Sequence, residues 1–421
     1  MTAVAAVDWG AGSIRVCRVD LTTMQLDVVH RHEHQPVRDA AGHLRWDWDR
    51  LVAETEKGLE VAGPVASIGV DTWGVDYGLL DGDGHLVAPP FSYRDHRTDG
   101  YRAVVDEIGE KELYATTGIQ LQPFNTLFQL AAHDRRELKR AESIVLLPEL
   151  VVHHLTGQIH AERTSAGTTA LVDIATGTWS TTLLEAAGVD PTLLPGIDPA
   201  TTPAGTWRGT PVHLVGGHDT ASAVAAIDAA PDAAFVSAGT WLLVGRLLPA
   251  AVTDDEARAA NFTNEAGALG GVRFLKNLAG SWLIEGCRPA WGDPPVANLL
   301  ARAATVDHDG RILDVTDPRF LHPVDMLGEV TAALGLPRDT EPAVVTRGIV
   351  ESLVAVTAAT LDQLVRRGPL TRVHVFGGGG QSSLYRQRLQ EVTGLPVVAG
   401  PVEATALGNA RVQARALDVA P

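Results

Sequence analysis

The sequence predicts an α/β protein built from two similar halves, and three observations carry that expectation. Short β-rich runs alternate with helical stretches along the chain, as in sheets covered by helices. At 421 residues the chain is too long for one ordinary hydrophobic core. The same outline, a strand, a glycine turn and a second strand, opens each half.

Taken in order, residues 4–7 are β-rich, 8–13 form a turn, and 14–21 alternate as a second strand. His30, His32 and His34 alternate along a further extended run and so share a face. A solvated face is the expectation there, because three metal ligands need a shaped site with supporting groups. Residues 66–71 read as a buried strand with 77–81 as its hairpin partner, turned at Gly82-Asp83-Gly84. Helices are expected over 125–138 and 149–155. Thr, Pro and Gly concentrate between Pro199 and Pro211, which places a domain boundary between 1–210 and 211–421. Residues 234–237, the turn at Gly239-Thr240 and residues 242–248 then repeat the opening outline. A helix from Ala221, a long one over 343–367 and a strand over 373–376 complete the second half.

Composition narrows the function. The chain carries 51 acidic against 34 basic residues, a formal charge of −17. That field repels nucleic-acid phosphates and anionic lipid, so neither is an expected partner. An acidic protein that binds a nucleotide must hold its phosphates with backbone amides, helix starts and a cation. Cys17 and Cys287 form no paired framework, which fits a reducing setting. The opening run reads as a first strand and not as a leader, so a cytoplasmic location is expected. A monomer or small homo-oligomer is expected.

Five strings have chemistry in them. Asp8-Trp9-Gly10-Ala11-Gly12-Ser13-Ile14-Arg15 ends a strand with a carboxylate and exposes amides that cradle phosphate, Asp8 holding a metal through water; the alternative is a plain hairpin turn. Ser237-Ala238-Gly239-Thr240 is a second such turn. Gly377-Gly378-Gly379-Gly380-Gln381 follows a strand and precedes a helix capped by Ser382 or Ser383, a common place for a nucleotide. It is no dinucleotide fingerprint, since Ser382 sits at the third glycine's place, and no P-loop string occurs. Gly216-Gly217-His218-Asp219-Thr220 follows a strand and opens a helix. Asp219 is there either a general base, an N-cap, or both. Asp71-Thr72-Trp73-Gly74-Val75-Asp76 joins acids to an indole, a mix that suits a sugar: Asp71 and Asp76 would accept hydroxyl hydrogen bonds and Trp73 would pack on C–H faces.

In their order these strings resemble the FGGY carbohydrate kinases. Tyr93-Arg94-Asp95, Pro123-Phe124-Asn125-Thr126-Leu127, Thr263-Asn264-Glu265, Leu275-Lys276-Asn277 and Gly400-Pro401-Val402-Glu403-Ala404 add to the likeness, which covers nearly the whole chain. The resemblance implies two ribonuclease-H-like domains of the actin, hexokinase and Hsp70 ATPase superfamily flanking a central cleft. It implies ATP and Mg²⁺ as cofactors and Asp219 as proton acceptor. Gly74, His218, Asp219, Thr220 and Asn277 would surround the sugar, and Ala11, Gly12, Ser13, Ile14, Arg15, Thr240, Glu285 and Gly379 would meet ATP. It is sharpest to the branch that phosphorylates O1 of L-rhamnulose, with L-fuculose, L-ribulose or L-xylulose as other ketoses. The chain departs from the family at Ile14, which stands where relatives carry a glycine. A catalytically silent sugar or nucleotide sensor is the reading from another class, and the retention of Asp8, Asp219 and Thr240 speaks against it.

Overall fold

A computed structural model describes residues 2–227, 230–320 and 323–419. The chain forms two compact units, one of Met1–Ala226, Leu248–Arg273 and Thr405–Pro421, the other of Ile227–Leu247 and Phe274–Ala404.

The first unit is organised by a six-stranded sheet of β1 (Ala3–Gly10), β2 (Ser13–Asp20), β3 (Leu26–Glu33), β4 (Ile68–Thr72), β5 (Pro203–Trp207) and β6 (Thr210–His218), in the order β5-β6-β4-β1-β2-β3. β1, β2 and β3 form an antiparallel meander, while β4 and β6 run parallel to β1. The second sheet contains β7 (Ala233–Ala238), β8 (Trp241–Leu248), β9 (Thr263–Ala266), β10 (Val272–Ala279), β11 (Arg372–Phe376) and β12 (Val397–Ala399), in the order β9-β10-β8-β7-β11-β12. Its run β10-β8-β7-β11-β12 repeats β3-β2-β1-β4-β6 of the first sheet, with an antiparallel hairpin at the start and parallel strands after it. The strand–turn–strand outline read twice in the sequence is this duplication.

Residue choice explains the packing. β1 is buried along nearly its whole length, as expected of a strand covered on both faces. One face meets an indole cluster of Trp9, Trp46, Trp48 and Trp73, with Trp46 and Trp73 centroids 4.3 Å apart. The other meets the C-terminal helix Ala404–Ala416. Ala406, Ala410 and Ala414 recur every four residues and pack on Val4, Ala6, Cys17 and Val19. Gly408 on that helix lets it approach the helix Asp219–Ala225, because a Cβ there would lie 1.7 Å from the Ser222 carbonyl oxygen. In the second unit the helix Pro342–Val365 is long and apolar enough to cross a membrane, yet 67% of its most apolar stretch is buried in the protein core.

Two expectations need correction. Tyr77–Leu80 pairs with Ser143–Leu146 and not with β4, whose two edges are already taken by β1 and β6. The helix expected over 125–138 is two, Thr126–Ala131 and Arg135–Leu138, because Asp134 caps the second by accepting the Arg136 amide. β6 is an inner strand of the first sheet, and residues Leu248–Arg273 and Thr405–Pro421 return to the first unit. His30 pairs with Glu54, and His34 donates Nε2–H to the Gly10 carbonyl oxygen at 2.9 Å.

Candidate active site

Three parallel strands deliver acids to one edge of the first sheet. Register sets Asp8 on β1 beside Asp71 on β4, and Thr72 beside His218 on β6; Asp219 follows at once. The carboxyl ends of parallel strands are where α/β sheets bind ligands, since side chains there lie beyond the covering helices. Asp8 and Asp71 are buried, and Asp219 keeps 31% of its side chain exposed.

The charges are balanced in part. Arg15, the register partner of Asp8 on β2, places Nη2 2.7 Å from Asp8 Oδ2. Burial, and then the neighbouring Asp8, push the Asp71 carboxyl well above its ordinary range, while the Asn409 amide donates to Asp71 Oδ2 at 2.6 Å and opposes that shift. Asp71 Oδ1 has no hydrogen-bond partner among the described residues. A crowded set of carboxylate oxygens with one orphaned acceptor fits a hard, oxygen-seeking cation such as Mg²⁺.

The His218-Asp219 corner is seated on a buried polar bed that the sequence did not reveal. The Gly217 amide donates to Glu162 Oε2 at 3.0 Å and the His218 amide to Thr164 Oγ1 at 3.2 Å. Gly217 must be glycine, since a Cβ would lie 2.3 Å from Ser165 Oγ. Asp219 is the first residue of the helix Asp219–Ala225 and His218 is its N-cap, so Asp219 does not cap it. The Thr220 hydroxyl donates to Asp219 Oδ1 at 3.0 Å.

Beneath this bed, burial and then Glu162 raise the Glu149 carboxyl well above its ordinary 4.5. An acid whose folded pKa is raised holds its proton more tightly folded than unfolded. Its ionisation therefore costs stability as pH rises above the unfolded value, in full once the folded value is passed. Glu149→Gln removes that cost. Its melting temperature is expected to gain on the wild type as pH rises from 5 to 9, read by scanning calorimetry, and a shrinking difference contradicts the assignment.

The 71–76 loop is arranged differently from expectation. Asp76 is no reader of sugar hydroxyls: it is buried, and its oxygens accept Trp46 Nε1–H at 2.7 Å, Trp73 Nε1–H at 2.9 Å, the Gln129 amide at 3.1 Å and the Tyr93 backbone amide at 3.2 Å. It locks two indoles instead. Trp73 is itself buried in the indole cluster, and Asp71 belongs to the acid cluster at the strand ends. Gly74 remains half-buried, backed by Thr168, and Val75 beyond it holds a φ of 68°. For a β-branched residue that is strained, and Thr126 Oγ1 and Gln129 Nε2 both bind the Val75 carbonyl oxygen to hold it.

At the turn between β1 and β2, Ala11 and Gly12 join the strands, and Ser13 pairs with Gly10. Ile14 is fully buried and packs into the core from β2. Arg15 is engaged with Asp8 through Nη2 and keeps part of its side chain exposed.

The second unit contains a cavity of about 450 Å³, the size range of small-molecule sites. Gly239, Ser281, Ile284, Glu285, Leu300 and Gly379 are among its lining residues. Gly377, with φ 81°, turns the glycine loop, and a Cβ on Gly379 would stand 3.0 Å from both the Ala238 Cβ and carbonyl oxygen. Glu285 pairs with Arg288 at 2.6 Å, Thr240 is exposed, and Asn277 lies half-buried on β10. Cys287 is buried and its thiol is pushed up to about 12, which makes it unreactive.

Sequence reasoning missed Glu162, Thr164, Asn409 and Arg273. None lies inside the string whose residues it contacts, so no local spacing pointed to them.

Comparison with known proteins is consistent along the whole chain. Residues 3–231 match the N-terminal domain, and residues 234–417 the C-terminal domain, of the FGGY family of carbohydrate kinases. The chain is 38% identical to the rhamnulokinase of Enterobacter sp. (strain 638), over 98% of this chain and 89% of that protein. It is 36% identical to the rhamnulokinase of Bacteroides thetaiotaomicron, over 97% and 90%. Among solved structures, xylulose kinase from Lactobacillus acidophilus superposes with a TM-score of 0.82 at 15% identity, over 99% of this chain and 90% of that one. Plasmodium falciparum glycerol kinase with ADP superposes at 0.78 and 14%, over 99% and 90%. At these identities the structures speak for the fold alone.

Proposed function

The chain belongs to the FGGY family of carbohydrate kinases, and from that premise we propose that it transfers the γ-phosphoryl group of ATP to O1 of L-rhamnulose, giving L-rhamnulose 1-phosphate and ADP. The observation that carries the chemistry is Asp219: a half-exposed carboxylate at a parallel strand end, one oxygen held by Thr220 and the other left to take a proton. The choice of sugar rests on likeness to rhamnulokinases over nearly the full chain.

Phosphoryl transfer through a loose transition state needs alignment and charge neutralisation more than covalent help. Asp219 orients the sugar O1 hydroxyl and accepts its proton as the bond to phosphorus forms. His218 and Thr220 flank it and fix its rotamer. In the first unit, Asp8 and Asp71 are the residues that would hold Mg²⁺, Asp8 through water. Bound there, the ion would supply positive charge to the phosphate oxygens. In the second unit, the cavity beside Gly239 and Gly379 is assigned to the adenosine, and the exposed Thr240 to the phosphates.

A ketose screen with MgATP and coupled ADP release tests the reading. The kcat/KM for L-rhamnulose is expected to exceed that for its hydroxyl epimer L-fuculose by at least about tenfold, since mispaired hydroxyls discriminate more than a methyl does. The product is expected to carry phosphate on O1 by phosphorus–proton coupling. A better rate with L-fuculose or a pentulose overturns the sugar assignment and leaves the kinase intact.

A further inference from the structure

Behind the His218-Asp219 corner lies a buried ion pair that the proposed reaction does not use directly. Arg273, the second residue of β10, is fully buried, and Glu265 on β9 is nearly so. Their charged atoms, Nη2 and Oε2, are 3.0 Å apart. Arg273 Nε–H donates to the Ala266 carbonyl oxygen at 3.0 Å, which fixes the guanidinium plane. The same Nη2 reaches His218 Nδ1 at 3.2 Å, and His218 Nε2 lies 3.4 Å from Asp219 Oδ1. Buried pairs of this kind contribute little net stability, because desolvation offsets most of the attraction. Another role is required to explain a guanidinium at this depth.

We infer that Arg273, held by Glu265, selects the tautomer of His218, and so positions the base Asp219. A guanidinium has only donors to offer. For the Arg273 contact to be a hydrogen bond, His218 Nδ1 must accept, and the neutral ring then carries its proton on Nε2. That nitrogen lies 3.4 Å from Asp219 Oδ1, the oxygen that receives the Thr220 hydroxyl. The Thr220 hydroxyl on Oδ1, with the His218 ring beside it, leaves Oδ2 as the oxygen that takes the substrate proton. In the other tautomer Nδ1–H would meet an arginine N–H, and a nitrogen lone pair would face the carboxylate. Glu265 Oε2, 3.3 Å from Nδ1, would favour that tautomer if Arg273 did not intervene. Arg273 is thus a positioning residue that acts through His218. The inference rests on Asp219 being the base of the proposed reaction, but the tautomer can be read without any substrate.

The test is a long-range proton–nitrogen correlation on the full chain labelled with ¹⁵N in its histidine rings, with His218 assigned by its loss in His218→Gln. The expected result at neutral pH is an unprotonated Nδ1 and a protonated Nε2. A protonated Nδ1, a doubly protonated ring, or an average of both tautomers overturns the inference, whatever sugar the enzyme takes. Arg273→Met combined with Glu265→Gln removes both charges together, which avoids stranding a buried carboxylate. It is expected to move the tautomer toward an average and to lower ketose-dependent kcat about 10- to 100-fold with KM for ATP unchanged. An unaltered tautomer in that folded variant also overturns it. Arg273→Lys, which keeps a donor, is expected to recover part of the loss.

Discussion

Asp219→Asn is expected to lower kcat by about 10²–10⁴-fold, the usual contribution of a positioned base, or ~2.7–5.5 kcal/mol in the barrier. The fold should not suffer. Asp219 is half-exposed at the first position of its helix, and an asparagine Oδ1 still accepts the Thr220 hydroxyl hydrogen bond. What disappears is the carboxylate oxygen that takes the sugar proton. ATP affinity and melting temperature are therefore expected to stay near wild type while turnover in the coupled ADP assay collapses. Near-normal turnover would mean that the proton leaves by another route, and that the acid cluster of Asp8, Asp71 and Asp219 serves binding only.

Gly379→Val is expected to weaken ATP binding by about 10- to 100-fold, ~1.4–2.8 kcal/mol, and to leave ketose binding close to wild type. The reason is local crowding. A Cβ at Gly379 already stands 3.0 Å from Ala238, at the tip of β7, and two further methyl groups must either displace the glycine loop or enter the cavity that both residues line. Titration calorimetry with ATP and with the sugar, done separately, reads the two effects. Loss of sugar affinity with nucleotide affinity kept would remove the adenosine from this cavity.

How much of this was written in the sequence depends on the range of the interaction. The doubled strand–turn–strand outline, the glycine loop after β11 and the placement of Asp219 after a strand are local patterns, set by alternation and turn chemistry within about ten residues. They were legible, and both six-stranded sheets are built around them. The pairing of Tyr77–Leu80 with Ser143–Leu146 was not, because strand partners are chosen by which sheet edge is free, and β4 has none.

The site divides in the same way. Asp8, His218 and Asp219 were found because strand ends and helix starts have signatures of their own. Asp76 was misread because its neighbours suggested a sugar loop, whereas its real partners, Trp46 and Gln129, come from 30 residues before and 53 after it. Asn409, 338 residues from the Asp71 it binds, and Arg273, 55 from His218, carry no mark in their own surroundings. The sequence by itself determined the duplicated α/β architecture, the acids at the strand ends and the family. Only the tertiary structure decided which buried groups hold those acids in place, because a polar side chain taken out of water must find its partner wherever in the chain the packing brings one.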